Sequence, residues 1–126
     1  MNPALHIDIR WLLERQAAVV PEGKGEVADY SALVAAVARH RVDPPRFGYD
    51  PDPAWRAAAL LTTLVNERPL PAHNELYGCY CALSYLEQCG EGIDAPYGAL
   101  IDLCREVRTG GADVFTAADR LRGWRI

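Results

Sequence analysis

Asp52-Pro53 is followed by thirteen residues, Ala54 to Asn66, that are rich in Ala and Leu and carry one charge, Arg56. A carboxylate at the cap position and a proline at the first helical position start a helix. A helix that is apolar on nearly every side has to be buried. The rest of the chain must therefore supply its cover. With 126 residues, 50% of them hydrophobic, the chain is long enough for one domain, residues 1–126, that buries roughly two-thirds of its unfolded surface.

The flanking segments also read as helices. From about Asp8 to Val20, residues Ile9, Leu12, Leu13, Gln16 and Ala17 recur at helical spacing, with Asp8 as N-cap and Pro21 as the stop. A short extended piece, Leu5 to Ile7, precedes it. After a loop from Pro21 to Glu26 that holds Gly23 and Gly25, Asp29 or Ser31 caps a second helix carrying Leu33, Val34, Val37 and Ala38 and ending near His40. Val42 to Pro53, with four prolines, is an irregular connection. Beyond the apolar helix, Asn74 to Cys89 carries Leu76, Cys79, Tyr80, Leu83 and Leu86 on one face and stops at Gly90. Asp94 before Ala95-Pro96 starts a fifth helix with Leu100, Ile101, Leu103, Cys104 and Val107 inward, and Asp113 caps a sixth with Val114, Ala117, Ala118 and Leu121. The expectation is an all-α domain of about six helices.

The formal net charge of -4 argues against a protein built to bind nucleic-acid backbone. The first ten residues are too polar for a secretory signal, and no stretch approaches the roughly 18 to 20 apolar residues of a membrane span, so a cytoplasmic protein is expected. Cys79, Cys81, Cys89 and Cys104 have neither zinc-site spacing nor a CxxC pair, and Cys79-x-Cys81 on a helix points its thiols to different faces. Buried core thiols are the expectation. His6 and His40 have no ligand-spaced partner and are expected at the surface or near caps. Trp11, Trp55 and Trp124 are core or interface anchors. Arg120, Arg122 and Arg125 form a basic cluster that either meets an acidic partner or is a solvated last turn.

The junction Asn66 to Tyr77 joins two apolar helices through a Pro-rich turn and ends at a helix start, where unpaired N–H groups and the macrodipole suit an anion. From Tyr30 onward the order of features resembles the Fic/Doc (death-on-curing) family. The residues that carry the resemblance are the Ala-rich Leu33-Val34-Ala35-Ala36-Val37-Ala38-Arg39-His40 helix, the Ala57 to Asn66 helix and the segment Arg68-Pro69-Leu70-Pro71-Ala72-His73-Asn74-Glu75-Leu76, which stands where the family has H-P-F-x-[DE]-G-N-[GK]-R. The Ala82 to Glu87 helix, the Gly90 stop and Leu100 to Leu103 continue the likeness.

The resemblance implies a compact helical Fic/Doc-like domain that moves a nucleotidyl or phosphoryl group from a nucleotide to a protein hydroxyl. In that chemistry the motif His is the base, the acid holds Mg²⁺, the Gly-Asn turn cradles phosphate and the closing Arg neutralises charge. It also implies the toxin component of a toxin-antitoxin pair, with a cognate antitoxin and a protein target as partners, and ATP or UTP with Mg²⁺ as cofactor if the motif is active. Pro69 and Asn74 match the motif, and Leu70 keeps the apolar character of its Phe. Arg68 replaces the base, and a guanidinium takes up no proton at neutral pH. Ala72 replaces the acid, His73 the glycine and Leu76 the arginine. Catalysis is therefore expected to be lost or altered, and the alternative is a silent Fic-fold interaction module.

Each motif residue has two readings. Asn74 is a helix N-cap or part of a phosphate cradle. His73 is a displaced base or a solvated surface residue. Glu75 ligates a metal or favours the helix dipole. Arg68 binds phosphate or pairs with Glu67, and Glu67 is itself a candidate carboxylate base. Pro69 and Pro71 fix the entry to the helix, and Leu70 is a core plug. No metal ligand set is assigned.

Overall fold

The computed structural model describes residues 5–20, 26–44, 48 and 51–126. Six helices account for the regular structure there: α1 (Ile9–Val19), α2 (Tyr30–Arg41), α3 (Pro53–Glu67), α4 (Asn74–Gln88), α5 (Ala99–Arg108) and α6 (Val114–Gly123). Four start as the sequence predicts, on an aspartate whose carboxylate accepts a backbone N–H of the first turn. Asp8 takes that of Trp11, Asp29 that of Ser31, Asp52 that of Trp55 and Asp113 that of Thr116. Of the two cap candidates for α2, Asp29 is the one used.

Helix α3 is the axis of the fold. Every residue from Ala54 to Val65 is buried, and α2, α4, α5 and α6 all pack on it. Its one charge, Arg56, is 5% exposed. The guanidinium donates to the carbonyls of His40 (2.8 Å) and Val42 (3.3 Å) and to Asp43 (3.2 Å), so a single cation ties α3 to the end of α2. Helix α4 lies closest where Gly78 passes α3: a Cβ there would meet Val65 Cγ2 at 3.0 Å and the Leu61 carbonyl oxygen at 3.3 Å.

Several sequence expectations need correction. The core face of α4 is Tyr77, Gly78, Cys81, Ala82, Tyr85 and Leu86 together with Cys79, while Leu76 is exposed and Tyr80 and Leu83 are half-buried. The wider packing of α3 and α1 rotates the helix away from the stripe its leucines suggest. Likewise α1 buries only Leu12, and in α2 Val34 and Ala38 face outward while Ala32 and Ala36 are in the core. Helix α5 starts at Gly98, not Asp94. Residues 92–94 pair instead with the chain end, through the Asp94 N–H to the Trp124 carbonyl (2.8 Å), the Ile126 N–H to the Gly92 carbonyl (3.0 Å) and an isolated bridge between Ile93 and Arg125.

His40 lies in the last turn of α2, near the cap as expected, but is fully buried and not at the surface. Its Nε2 accepts the Ile7 N–H (3.1 Å) and its Nδ1 faces the Arg56 carbonyl (3.2 Å). The Leu5–Asp8 segment forms no strand. It is anchored by His40, by Arg41 on the Ile7 carbonyl and by Tyr85 on the Leu5 carbonyl. The C-terminal arginines are not a solvated cluster either: Arg120 pairs with Glu106 (2.6 Å), Arg122 with Asp52 (2.7 Å) and Arg125 with Glu91 (3.3 Å). Pro21, Gly23, Gly25 and Pro45, which the sequence places in connecting loops, lie outside the described residues.

Candidate anion site at the start of the fourth helix

Helix α3 ends one residue later than the sequence suggests, and the turn that follows is bracketed by Arg68 (φ 53°) and His73 (φ 65°), the two non-glycine residues with left-handed backbone among those described. Each costs on the order of 1 kcal/mol, and such conformations persist where the surroundings over-determine them. Here the surroundings are specific. The Pro69 carbonyl accepts the N–H groups of Ala28 (2.7 Å) and Asp29 (3.1 Å), which fixes the turn to the start of α2. Leu70, 3% exposed, plugs the core as expected.

Asn74 is not the helix N-cap. His73 holds that position, and Asn74 is the first helical residue. The Asn74 side chain folds back under the turn, where Oδ1 accepts the Leu70 N–H and Nδ2 donates to the Leu70 carbonyl, both at 2.9 Å. Its amide therefore closes the loop and is spent as a phosphate ligand. The His73 side chain makes no cap hydrogen bond. The helical ladder opens with the Tyr77 N–H on the His73 carbonyl (2.9 Å), so the amides of Asn74, Glu75 and Leu76 precede the first intrahelical bond and carry the positive end of the dipole.

In front of those amides lies a cavity of about 310 Å³, lined by Arg68, Ala72, His73, Asn74, Glu75 and Leu76 from the junction and by Ile101, Arg105 and Arg108 from α5, with Val65 at its base. The predicted residues Arg68, His73, Asn74 and Glu75 thus meet at one cavity. Pro69 and Leu70 are buried and do not line it. Arg68 is exposed, and among the described residues no carboxylate pairs with it, because Glu67 reaches Arg39 instead (3.5 Å). Glu75 sits in the first turn of α4, where a carboxylate favours the helix dipole, and its carboxylate meets the Arg108 guanidinium at 3.0 Å, so it does not stand open to a metal. Arg105 is held loosely by Asp102 (3.7 Å).

Arg105 and Arg108 escaped the sequence reading. Ile101, Arg105 and Arg108 stand at i, i+4 and i+7 on α5, so they share a face, and that spacing was the available signal. Three guanidiniums and one carboxylate give the lining a positive balance inside an acidic protein. Guanidinium forks and free helix amides are donors matched to phosphate or carboxylate oxygens.

The same lining is poor in groups for chemistry. Arg68 is a donor only. Glu67 points to α2 through Arg39 and does not line the cavity. His73 is the one imidazole at the site. Among the described residues there is no group of three or more His, Cys, Asp or Glu side chains placed to hold a metal ion.

No protein-family model matches this chain, and no curated protein is significantly similar to it in sequence.

Beside the arginine cavity, and sharing Leu76 and Ile101 with it, runs an apolar groove of about 410 Å³ between α4 and the start of α5, with Cys79, Leu83, Ile93 and Leu100 on its walls and the fully exposed ring of Tyr97 at its lip. No helix among the described residues is long and apolar enough to cross a membrane.

Proposed function

We propose that the chain is a Fic/Doc-like protein, the toxin component of a cytoplasmic toxin-antitoxin pair, whose junction binds a phosphate-bearing ligand and has lost the transfer of its phosphoryl or nucleotidyl group. The observation that carries the binding half is the cavity at the start of α4, which Arg68, Arg105 and Arg108 line together with Asn74, Glu75 and Leu76, whose amides precede the first intrahelical bond. The loss of transfer is supported by the same residues. The base position holds Arg68, the metal-anchoring acid is Ala72, and the nearest carboxylate, Glu75, is engaged by Arg108. The family half rests on the order of residues from Tyr30 to the end of the chain, above all Arg68-Pro69-Leu70 and Asn74.

Calorimetry with ATP and UTP, with and without Mg²⁺, tests the binding. Binding that is indifferent to Mg²⁺ and weakened about tenfold by Arg68→Ala is expected, since one charged hydrogen bond contributes roughly 1.5 to 3 kcal/mol before screening. Labelled nucleotide incubated with protein and cell extract tests the chemistry. Transferred label that requires Mg²⁺ refutes the loss of catalysis, and absence of any nucleotide or phosphate binding refutes the site.

One observation favours a second reading. The apolar groove beside the cavity, with Tyr97 and Leu76 exposed along it, is the shape that takes an amphipathic helix. In that reading the protein is a silent interaction module, and nucleotide has no effect on capture of its partner.

A further inference from the structure

Cys79 on α4 and Cys104 on α5 bring their sulfurs to 2.9 Å, well inside ordinary sulfur contact and about 0.9 Å beyond the roughly 2.05 Å of a disulfide bond. Both are free thiols. The two are not equivalent. Cys104 is fully enclosed, whereas Cys79 is 7% exposed and forms part of the wall of the apolar groove, so a small reagent reaches it from solvent. The Cys79 sulfur also lies 3.5 Å from the Leu100 carbonyl, which orients it toward α5. Cys81 and Cys89 share none of this: Cys81 is fully buried on the other side of α4, and Cys89 follows the last turn of that helix.

We propose that Cys79 and Cys104 are a redox-active dithiol that closes to an intramolecular disulfide, with Cys79 as the sulfur that meets a hydroperoxide in the groove. Cys79 loses its proton to solvent and its thiolate attacks one peroxide oxygen. The O–O bond breaks, a sulfenic acid forms, and the departing hydroxide leaves as water once protonated. Cys104 then attacks the sulfenic sulfur, the S–O bond breaks, and the hydroxide released takes the Cys104 proton and leaves as a second water. Two thiols have lost two electrons and one hydrogen peroxide has become two waters. The hydrogen bond from Cys104 favours the thiolate at Cys79 and holds its own proton more tightly, the division of roles that sequence needs. The bond staples α4 to α5, the two helices that wall the arginine cavity.

Titrating the reduced full chain with hydrogen peroxide, then alkylating under denaturing conditions and mapping peptides, tests this. The expected product is one cross-linked peptide pair, Cys79 to Cys104, with Cys81 and Cys89 alkylated, and a melting temperature raised by roughly 5 to 15 °C, since the bond closes a loop of about 25 residues. Dithiothreitol reverses both changes. Cys79→Ala and Cys104→Ala each abolish the cross-link, and Cys81→Ala/Cys89→Ala keeps it. Four alkylatable thiols after peroxide, or a cross-link through Cys81 or Cys89, overturns the proposal. The peptide map of the natural chain decides even if a variant fails to fold.

Discussion

Replacing Asn74 with Ala separates a structural amide from a ligand-binding one. In the native protein the Asn74 side chain makes two 2.9 Å hydrogen bonds to the backbone of Leu70, and both residues are buried, at 7% and 3% exposure. Each bond contributes about 1 kcal/mol net, and each backbone group left unpaired away from water costs about 1 to 3 kcal/mol. With part of that cost recovered as the turn relaxes, the loss is about 2 to 4 kcal/mol. For a chain of this length that lowers the melting temperature by roughly 8 to 16 °C. The assay is urea unfolding followed by far-ultraviolet circular dichroism, with the midpoint falling and the slope unchanged. A loss below about 0.5 kcal/mol, accompanied by weaker nucleotide binding, would refute the reasoning, because the amide would then serve the cavity and not the turn.

Three further outcomes are expected. His40 is held neutral in the fold, its pKa lowered to about 4 mainly by burial. The unfolded chain takes up a proton near pH 6.5 that the native state refuses, so the contribution of His40 is whole above pH 6.5 and drains away as pH falls towards 4, by about 3 kcal/mol; stability measured across that window should slope down on acidification and flatten in His40→Gln. Arg56→Leu strips a donor from the buried carbonyl of His40 and another from the part-buried Val42 carbonyl and should cost about 2 to 4 kcal/mol, whereas Asp43→Ala, at the exposed end of the same pair, should cost under about 1 kcal/mol; equal losses in thermal unfolding would sink this account. Gly78→Ala drives a methyl against Val65 and the Leu61 carbonyl, and the crowding, about 1 to 3 kcal/mol, should outweigh the better helix propensity of Ala. A stabilised variant would show that α4 has room to move off α3.

The helices were legible where the signal is local. Asp8, Asp29, Asp52 and Asp113 each sit one residue before a helix and each caps it. The signal failed where distant chain decides. Asp94-Ala95-Pro96 looks like another capped start, but residues 92–94 are drawn into pairing with the chain end, and no pattern near Asp94 records that. The sequence reads Asn74 as the helix N-cap, yet its side chain binds Leu70 and not the helix, because His73 takes the left-handed cap position that glycine more readily fills. Half of the arginine cavity was visible in Arg68 and His73; the other half needed α5 laid against α4. The same packing brings Cys79 to Cys104 across 25 positions of sequence, a separation at which spacing rules for thiols have no reach.

The enclosure of α3 also bears on how the protein is made. A nascent chain that has emerged only as far as Glu67 carries a helix whose wetted faces belong against α4, α5 and α6, none of which has yet been synthesised. Such a fragment has no stable resting state of its own and is prone to aggregate or to be bound by chaperones until the last turn of α6 arrives. Truncations before Gly123 should accordingly be insoluble, and native structure should appear in a single step only once α6 has been made.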